Sequence, residues 1–330
     1  MANLAGVSRA AVSGVLFGPK STIRVSPETA ERVREAAKEL GYRPNARARS
    51  FKSGRTGTIG LLHGDGFPRA HASKSRYFAA LLDGIIDGAF EHGLTLGICP
   101  QLFSRTPEDV MADGRFDGLV WYSTFPSAAN AERIRQCSVP IVVVHSQASD
   151  FGNRLPTVIC DNEGGIRMAL EHLAGLGHRL VAFAYDAEYL LSESRLRRDA
   201  FLRQAPEFGI EPSLIDVRGN RSGVEEYVAS RRPHTAIIAH NEEMAADFLV
   251  ELQTRGVAVP GEVSVVGFDS TDLCESVRPR LTAVSQPLHE LGRRAVNMLV
   301  EVIGGRMPEP LERVLPCGFD IRESTAVAQS

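Results

Sequence analysis

Arg47, Arg49, Lys52 and Arg55 surround a single aromatic residue, Phe51, in a stretch bounded by Pro44 and Gly54. Cationic groups at that density suit phosphate contact, and Phe51 offers something apolar to insert. Further along, polar side chains stand where apolar runs stop: Asp161 after the run 157–160, Asn241 after 235–239 and Asp269 after 263–268. Arg197 presents a planar fork that matches a carboxylate or a pair of hydroxyls. Asn241 and Asp269 supply groups that fix sugar hydroxyls or base edges. Two of these residues have an alternative role: Asp161 as a cap for the helix that follows it, Arg197 as half of an internal ion pair. Catalytic chemistry finds no support. Gly60, Gly64 and Gly66 miss the dinucleotide-binding spacing, and no P-loop, HExxH or GxSxG pattern occurs. The histidines are scattered without metal-ligand spacing, so no enzyme activity, metal or cofactor is expected.

The elements that must position these groups can be read from punctuation and period. Pro44 stops the helix before it, because the residue preceding a proline is pushed out of helical dihedrals. Asn45 is a good N-cap and Gly54 a good stop, leaving about two helical turns where an isolated helix needs roughly 12–15 residues. The segment is therefore expected to be helical when held. Upstream, Gly6 supplies a tight turn and Ser8 caps a helix whose apolar face is Ala11, Val12, Val15 and Leu16. Arg9, Ala10, Ser13 and Gly14 fall on its other side. A third helix starts at Ser26 with Pro27 in first position, buries Ala30, Val33, Ala37 and Leu40, and ends at Gly41. Three short helices with a glycine turn between the first two form the helix-turn-helix pattern, whose second helix enters the DNA major groove.

Charge divides the chain the same way. Residues 1–56 hold 11 Lys and Arg against 4 Glu, a surplus of seven, so with the whole at −3 the other 274 residues carry −10. A basic head on an acidic body implies that the head meets a polyanion and the body does not. The five cysteines are dispersed without a CxxC pair and read as reduced packing residues. No signal core or membrane-length apolar run occurs. A cytoplasmic protein that avoids the membrane is expected.

From Thr58 onward, short apolar runs alternate with amphipathic stretches, the signature of parallel sheets flanked by helices. Strands are predicted at 58–62, 94–99, 118–121, 139–144, 157–160, 180–184, 214–217, 235–239, 263–266 and about 314–321, and helices at 75–92, 164–176, 193–208, 242–255 and 288–303. The buried face of the first of these helices is predicted as Phe78, Leu81, Leu82, Ile85, Ile86 and Phe90. Two doubly wound units in tandem follow, with ligand sites at the carboxyl ends of their strands.

The segments 4–8, 12–16, 25–26, 40–45 and 48–50, taken in order, resemble the DNA-binding head of the lactose-repressor (LacI) family. The likeness continues through 158–162, 173–178, 195–197, 239–241, 263–269, 281–287 and 322–325, and so covers nearly the whole chain. It implies an α/β fold: an N-terminal helix-turn-helix head plus a periplasmic-binding-protein-like bilobal core of two doubly wound parallel sheets. The expected divisions are a head over 1–44, a hinge helix and linker over 45–56, an N-subdomain of 57–160 with about 289–316, and a C-subdomain of 161–288 with about 317–330. The implied function is a ligand-responsive repressor that binds a palindromic double-stranded operator as a homodimer, in the nucleoid. A small-molecule effector, most commonly a sugar or sugar derivative in this family, would close the cleft between the subdomains. Alternatives are a sensor of the same fold with weakened DNA binding, or a bilobal sugar-binding protein of transport.

By the same resemblance, Ser8, Arg9, Ala10 and Ser13 form the base-reading and phosphate-contacting surface, with Arg9 as the reader of guanine. Asn45, Arg47, Arg49 and Phe51 belong to the hinge helix, with Phe51 as the wedge in a minor-groove step. The family's first helix begins upstream of the position of Met1, so its last turn, 1–5, is expected here. Gly14 and Phe17 stand where the family usually has arginine and asparagine, which implies a different operator preference. In the body, Arg197, Asn241 and Asp269 match positions that commonly hold the effector. Tyr77 is a stacking platform, and His145, where relatives often place an aspartate, is either a ligand donor or a buried, satisfied histidine. The lack of a heptad tail after Thr325 implies a dimer.

Overall fold

A computed structural model of the chain describes residues 1–17, 25–43, 50, 54–63, 76–99, 114–122, 134, 137–187, 192–217, 221–230 and 234–329. Asn45, Arg47, Arg49 and Phe51 lie outside these residues. The chain forms two units, Met1–Thr58 with Gly114–Asp117 and Ile59–Asp113 with Gly118–Ser330.

In the first unit, α1 (Ala2–Ala5) ends on Gly6 in the left-handed conformation, α2 (Arg9–Phe17) follows, and α3 is Pro27–Glu39. The Ser8 hydroxyl accepts from the Ala11 N–H at 3.1 Å, and that of Ser26 from the Thr29 N–H at 3.3 Å. Both serines thus satisfy backbone donors that a helix start leaves open. Ala5, Val33 and Ala36 are buried here, and Met1, Val7, Val12, Val15 and Leu16 pack on them. Leu40, expected inside, is 54 % exposed.

The second unit holds two six-stranded sheets. The first is formed by β1 (Thr58–His63), β2 (Thr95–Cys99), β3 (Gly118–Tyr122), β4 (Ile141–Val144), β5 (Thr157–Cys160) and, from far along the chain, β11 (Glu312–Leu315). Its order is β11-β5-β4-β3-β1-β2, and helices α4 (Arg76–Glu91) and α10 (Leu288–Ile303) pack together beside it. The second comprises β6 (Leu180–Tyr185), β7 (Glu211–Asp216), β8 (Ala236–Ala239), β9 (Ser264–Asp269), β10 (Thr282–Ser285) and β12 (Gly318–Asp320), ordered β12-β10-β9-β8-β6-β7. Its helices are α5 (Asn162–Gly175), α6 (Ser192–Gln204), α7 (Arg221–Ala229), α8 (Glu242–Thr254) and the short α9 (Asp272–Ser276). Strands β3, β4, β5, β8 and β9 are buried along their whole length, as expected of parallel strands covered on both faces. The chain passes between the sheets three times: after β5, after β10 and between β11 and β12.

Three expectations are corrected. The last predicted strand is two strands in different sheets, β11 parallel to β5 and β12 antiparallel to β10. Pro316 stands between them and has no N–H to continue a ladder. Helix α6 stops at Gln204 and tightens into a 3-10 turn at Ala205–Phe208, for the same reason at Pro206. On α4, Leu81, Ile85 and Ala89 are buried, but Ile86 is 46 % and Phe90 85 % exposed. The buried stripe is narrower because α4 meets α10 backbone to backbone. A Cβ on Gly84 would lie 1.9 Å from the His289 carbonyl oxygen, and one on Gly292 2.3 Å from that of Leu81.

Candidate functional site

The polar residues at the strand ends converge between the two sheets. Arg197, on the inner face of α6, is 3 % exposed. Its Nε donates to Asn162 Oδ1 at 2.8 Å and its Nη1 to the His240 carbonyl at 2.6 Å. Asp269 Oδ1 and Glu193 Oε2 each lie 3.5 Å from a guanidinium nitrogen, and the guanidinium stacks 3.6 Å from the centre of the Phe268 ring. Planarity lets one side chain serve four acceptors and an aromatic face, which a lysine could not do.

Glu193, one turn before Arg197, links this cluster to the first sheet. Its Oε1 lies 2.9 Å from His145 Nδ1, and the Tyr77 hydroxyl lies 2.7 Å from His145 Nε2 and 3.4 Å from Glu193 Oε2. Tyr77 starts α4, His145 follows β4, and Tyr122 ends β3. Their three rings pack together, with centroids of Tyr77 and Tyr122 at 5.3 and 5.7 Å from that of His145. A second tie crosses nearby: Ser192 Oγ donates to Asp150 Oδ2 at 2.6 Å and Arg195 to Asp150 Oδ1 at 3.0 Å. The start of α6 therefore clasps the first sheet at both a charged and a hydroxyl contact.

Burial and pairing set the ionisation of these groups. Burial pushes the Glu193 carboxyl up, but His145 and Arg197 outweigh it and hold the group at about 2. Burial raises Asp269 to about 7 against the pull of Arg197, with Glu242 adding to the rise. His240 is lowered to about 3 by burial and by the Arg197 charge. The Tyr77 hydroxyl is raised well above its ordinary value by burial and by Glu193. The backbone is strained at the same points: φ is 69° at His145, 99° at Asp269 and 58° at Ser270, a region that side-chain-bearing residues rarely occupy.

Of the six residues singled out in the body, Tyr77, His145, Arg197 and Asp269 come together in this cluster. Asp161 takes its alternative role, its Oδ1 capping α5 by accepting from the Gly164 N–H at 2.8 Å. Asn241 caps α8 through Oδ1, accepting from Met244 N–H at 2.8 Å, so its NH2 group is the part that can serve a ligand. Arg197 makes the internal ion pairs that were its alternative role and still lies in the cleft. Glu193, Asn162, Tyr122 and Gln286 were not anticipated. Glu193 carried a usable signal, because a carboxylate four residues before an arginine on one helix face is an ion-pair spacing. On the head, Ser8, Arg9 and Ala10 are exposed and Ser13 is partly buried. Arg9 and Ser13 line a groove of about 440 Å³ together with Met1, Val12, Leu16, Leu40 and Tyr42. Among the described residues no cluster of His, Cys, Asp and Glu could hold a metal, and no helix is long and apolar enough to cross a membrane.

A helix-turn-helix unit and a two-sheet body with a polar cleft, carried on one chain, define a ligand-responsive DNA-binding regulator. The model of bacterial regulatory proteins of the lacI family matches residues 1–45, and that of the periplasmic binding protein-like domain matches 170–325. The regulator CelR of Thermobifida fusca is 30 % identical over 348 residues, covering 98 % of this chain and 96 % of its own. Catabolite control protein A of Priestia megaterium is 29 % identical over 337 residues, covering 98 % of both. A solved complex of CelR with cellobiose has a TM-score of 0.73 at 27 % identity, again over 98 % of both chains. The chain belongs to the LacI family of bacterial regulatory proteins, and it is a transcription regulator, not an enzyme.

Proposed function

We propose that this regulator is a cytoplasmic repressor. It binds a palindromic operator as a homodimer and is switched by a sugar or sugar derivative held between the two sheets. The observation that carries the effector reading is the Tyr77–His145–Glu193–Arg197–Asp269 cluster, which draws on both sheets at their carboxyl ends. Arginine, carboxylate and aromatic groups together suit the vicinal hydroxyls and apolar face of a pyranose or furanose. The complex of CelR with cellobiose supports a sugar as the ligand class. Dimerisation is supported by α4, whose outer face offers Phe90 and Ile86 to solvent, beside Ile98 at 53 % exposure on β2. Ser8, Arg9, Ala10 and Ser13 on α2, with Asn45, Arg47, Arg49 and Phe51 of the hinge, are the proposed DNA contacts.

The deciding experiment selects random double-stranded DNA on the purified protein, with and without a sugar panel. Enrichment of a palindrome that a sugar weakens or strengthens is the expected result; no enriched palindrome refutes the regulator's proposed mode of action. Phe51→Ala should then weaken binding to that palindrome and leave sugar affinity unchanged.

A further inference from the structure

Two cysteines meet where the chain crosses between the sheets. Cys160 is the last residue of β5, and the first crossover begins with the residue after it. Its backbone pairs with Leu315 at the end of β11, and the Asp161 N–H donates to the Leu315 carbonyl at 2.7 Å. Cys317 stands two residues further on, in the third crossover, directly before β12. Gly318, the first residue of β12, packs on β10 so closely that a Cβ there would lie 2.5 Å from Ser285 Oγ. Cys160 is thereby fixed to the first sheet and Cys317 to the second. Both side chains belong to one apolar cluster, and the two thiols are hydrogen-bonded to each other. Neighbouring strands run about 4.8 Å apart, inside the Cα separation of about 4.4–6.8 Å that a disulfide spans.

The two thiols differ in access. Cys160 is 1 % exposed, whereas Cys317 is half-buried. Burial, and after it the hydrogen bond with Cys317, push the Cys160 thiol well above its usual value. Cys317 is therefore the sulfur that a small oxidant meets first. Cys160 Sγ also lies 3.5 Å from Glu193 Oε1 and 3.4 Å from Asn162 Oδ1, and both of these residues accept from Arg197. The other described cysteines give their thiols elsewhere: Cys137 donates to the Val139 carbonyl at 3.3 Å and Cys274 to Glu242 Oε2 at 3.4 Å.

We propose that Cys160 and Cys317 are a reversible redox pair, closed by hydroperoxides into a disulfide that staples the first and third crossovers together. The Cys317 sulfur attacks the peroxide O–O bond, giving a sulfenic acid and water. Cys160 Sγ then attacks Cys317 Sγ: the S–S bond forms, the S–O bond breaks and hydroxide leaves. The Cys160 proton departs along its hydrogen bond to Glu193 Oε1 and ends on that hydroxide as a second water. Two thiols lose two electrons and one peroxide is reduced to two waters; a dithiol reductant reverses the bond by exchange. Hinges work by backbone rotation in a few residues between elements. A covalent link between residues 160 and 317 removes that freedom from two of the three crossovers. It also takes the thiol donor from Glu193 and Asn162, so oxidation reaches the Arg197 cluster as well as the hinge. In a reducing cytoplasm, disulfides of this kind serve as transient signals.

The full chain, first reduced and then exposed to hydrogen peroxide, tests this by peptide mapping without reductant. Trypsin releases 155–167 and 314–322 as peptides with one cysteine each. Oxidation should join them with the loss of two hydrogens, and dithiothreitol should part them. In the oxidised protein the backbone amides of 160–162, 315, 317 and 318 should exchange hydrogen at least about tenfold more slowly, and the urea midpoint should rise. Cys317→Ser should abolish all three changes; Cys160→Ala serves the same purpose if the first variant does not fold, and mapping with exchange on the parent chain decides without either. No joined peptide, oxidation of Cys317 that stops at a sulfinic or sulfonic acid, or a crosslink to any other cysteine overturns the pair. A joined protein whose crossover amides exchange as before overturns the staple. Neither DNA nor sugar enters the measurement, so its failure leaves the repressor reading untouched, and failure of the palindrome selection leaves the pair standing.

Discussion

Replacing Arg197 by methionine isolates what the guanidinium does. The substitution keeps an unbranched side chain of similar reach in a site that is 3 % exposed, so the packing loss is small. It removes hydrogen bonds of 2.8 and 2.6 Å to Asn162 and the His240 carbonyl and leaves Glu193 and Asp269 without the cation they share. Breaking a buried pair by removing one partner costs about 3–5 kcal/mol. Asp269, already at about 7, can relieve part of this by taking up a proton, so the cost is greatest near pH 8 and shrinks towards pH 6. At about 2–4 °C per kcal/mol for a unit of this size, Arg197→Met should lower the melting temperature by roughly 6–20 °C at pH 8. Arg197→Lys retains the charge but not the fork, and a loss of about 1–3 kcal/mol is expected. Urea denaturation of wild type and both variants at pH 6 and 8 reads these numbers. A methionine variant within about 0.5 kcal/mol of wild type at pH 8 would refute the shared-cation account.

Gly84→Ala should cost about 1–3 kcal/mol or more, since its Cβ would stand 1.9 Å from the His289 carbonyl oxygen; an unchanged melting temperature would mean that α4 and α10 part readily. Asp269 is raised to about 7, so the native protein holds a proton that the unfolded chain gives up near pH 4. Its contribution is full below about pH 4 and is lost as pH rises to about 7, by up to about 4 kcal/mol. Asp269→Asn should flatten that part of the stability profile, with Arg197, Glu242, Gln286 and Glu193 still facing the position; an unaltered slope in urea titrations across pH 4–7 would count against it. Phe90→Glu, at an 85 % exposed site, should convert a dimer to monomers in sedimentation without lowering monomer stability, and a persistent dimer would place the interface elsewhere.

The fold was largely legible because its signals are local. Ser8, Ser26, Pro27 and Gly6 act within one turn of where they stand, and the alternation of apolar runs with amphipathic stretches marks parallel strands and their helices. What escaped was set by contacts between distant residues. Ile86 and Phe90 read as core from their spacing, yet with the Gly84–Gly292 approach the inward stripe of α4 is narrower, keeping Leu81 and Ile85 and leaving those two outside. Asp161 and Asn241 looked like ligand groups by their position after strands, but each is also the first residue before a helix, and the open N–H groups there claim their oxygens. Glu193 and Gln286 were passed over because their significance lies in what faces them: His145 from the other sheet for one, Asp269 seventeen residues before it in sequence for the other.

These contacts bear on how a ligand could act. A ligand shifts an equilibrium between lobe arrangements only by its differential affinity for them. Here Glu193 already joins the two sheets through His145 and Tyr77, and Asp150 joins them again through Ser192 and Arg195. Charge-assisted hydrogen bonds of this kind contribute about 1.5–3 kcal/mol each, comparable with the 1–3 kcal/mol typical of coupling between sites. The clasp at the start of α6 is therefore of a size to weigh in that balance, and a ligand need supply only the remainder. The geometry favours a ligand that adds to the clasp. Gln286 donates through Nε2 to Asp269 Oδ1 at 2.6 Å, and its Oε1 is buried without a hydrogen-bond partner among the described residues. A donor bound there can draw Asp269 and α4 together while leaving Glu193 in place. Glu193→Gln should then weaken sugar binding through the loss of closure, whereas a ligand that competed for Glu193 would bind the variant better. That opposite sign, read by calorimetry, distinguishes the two modes.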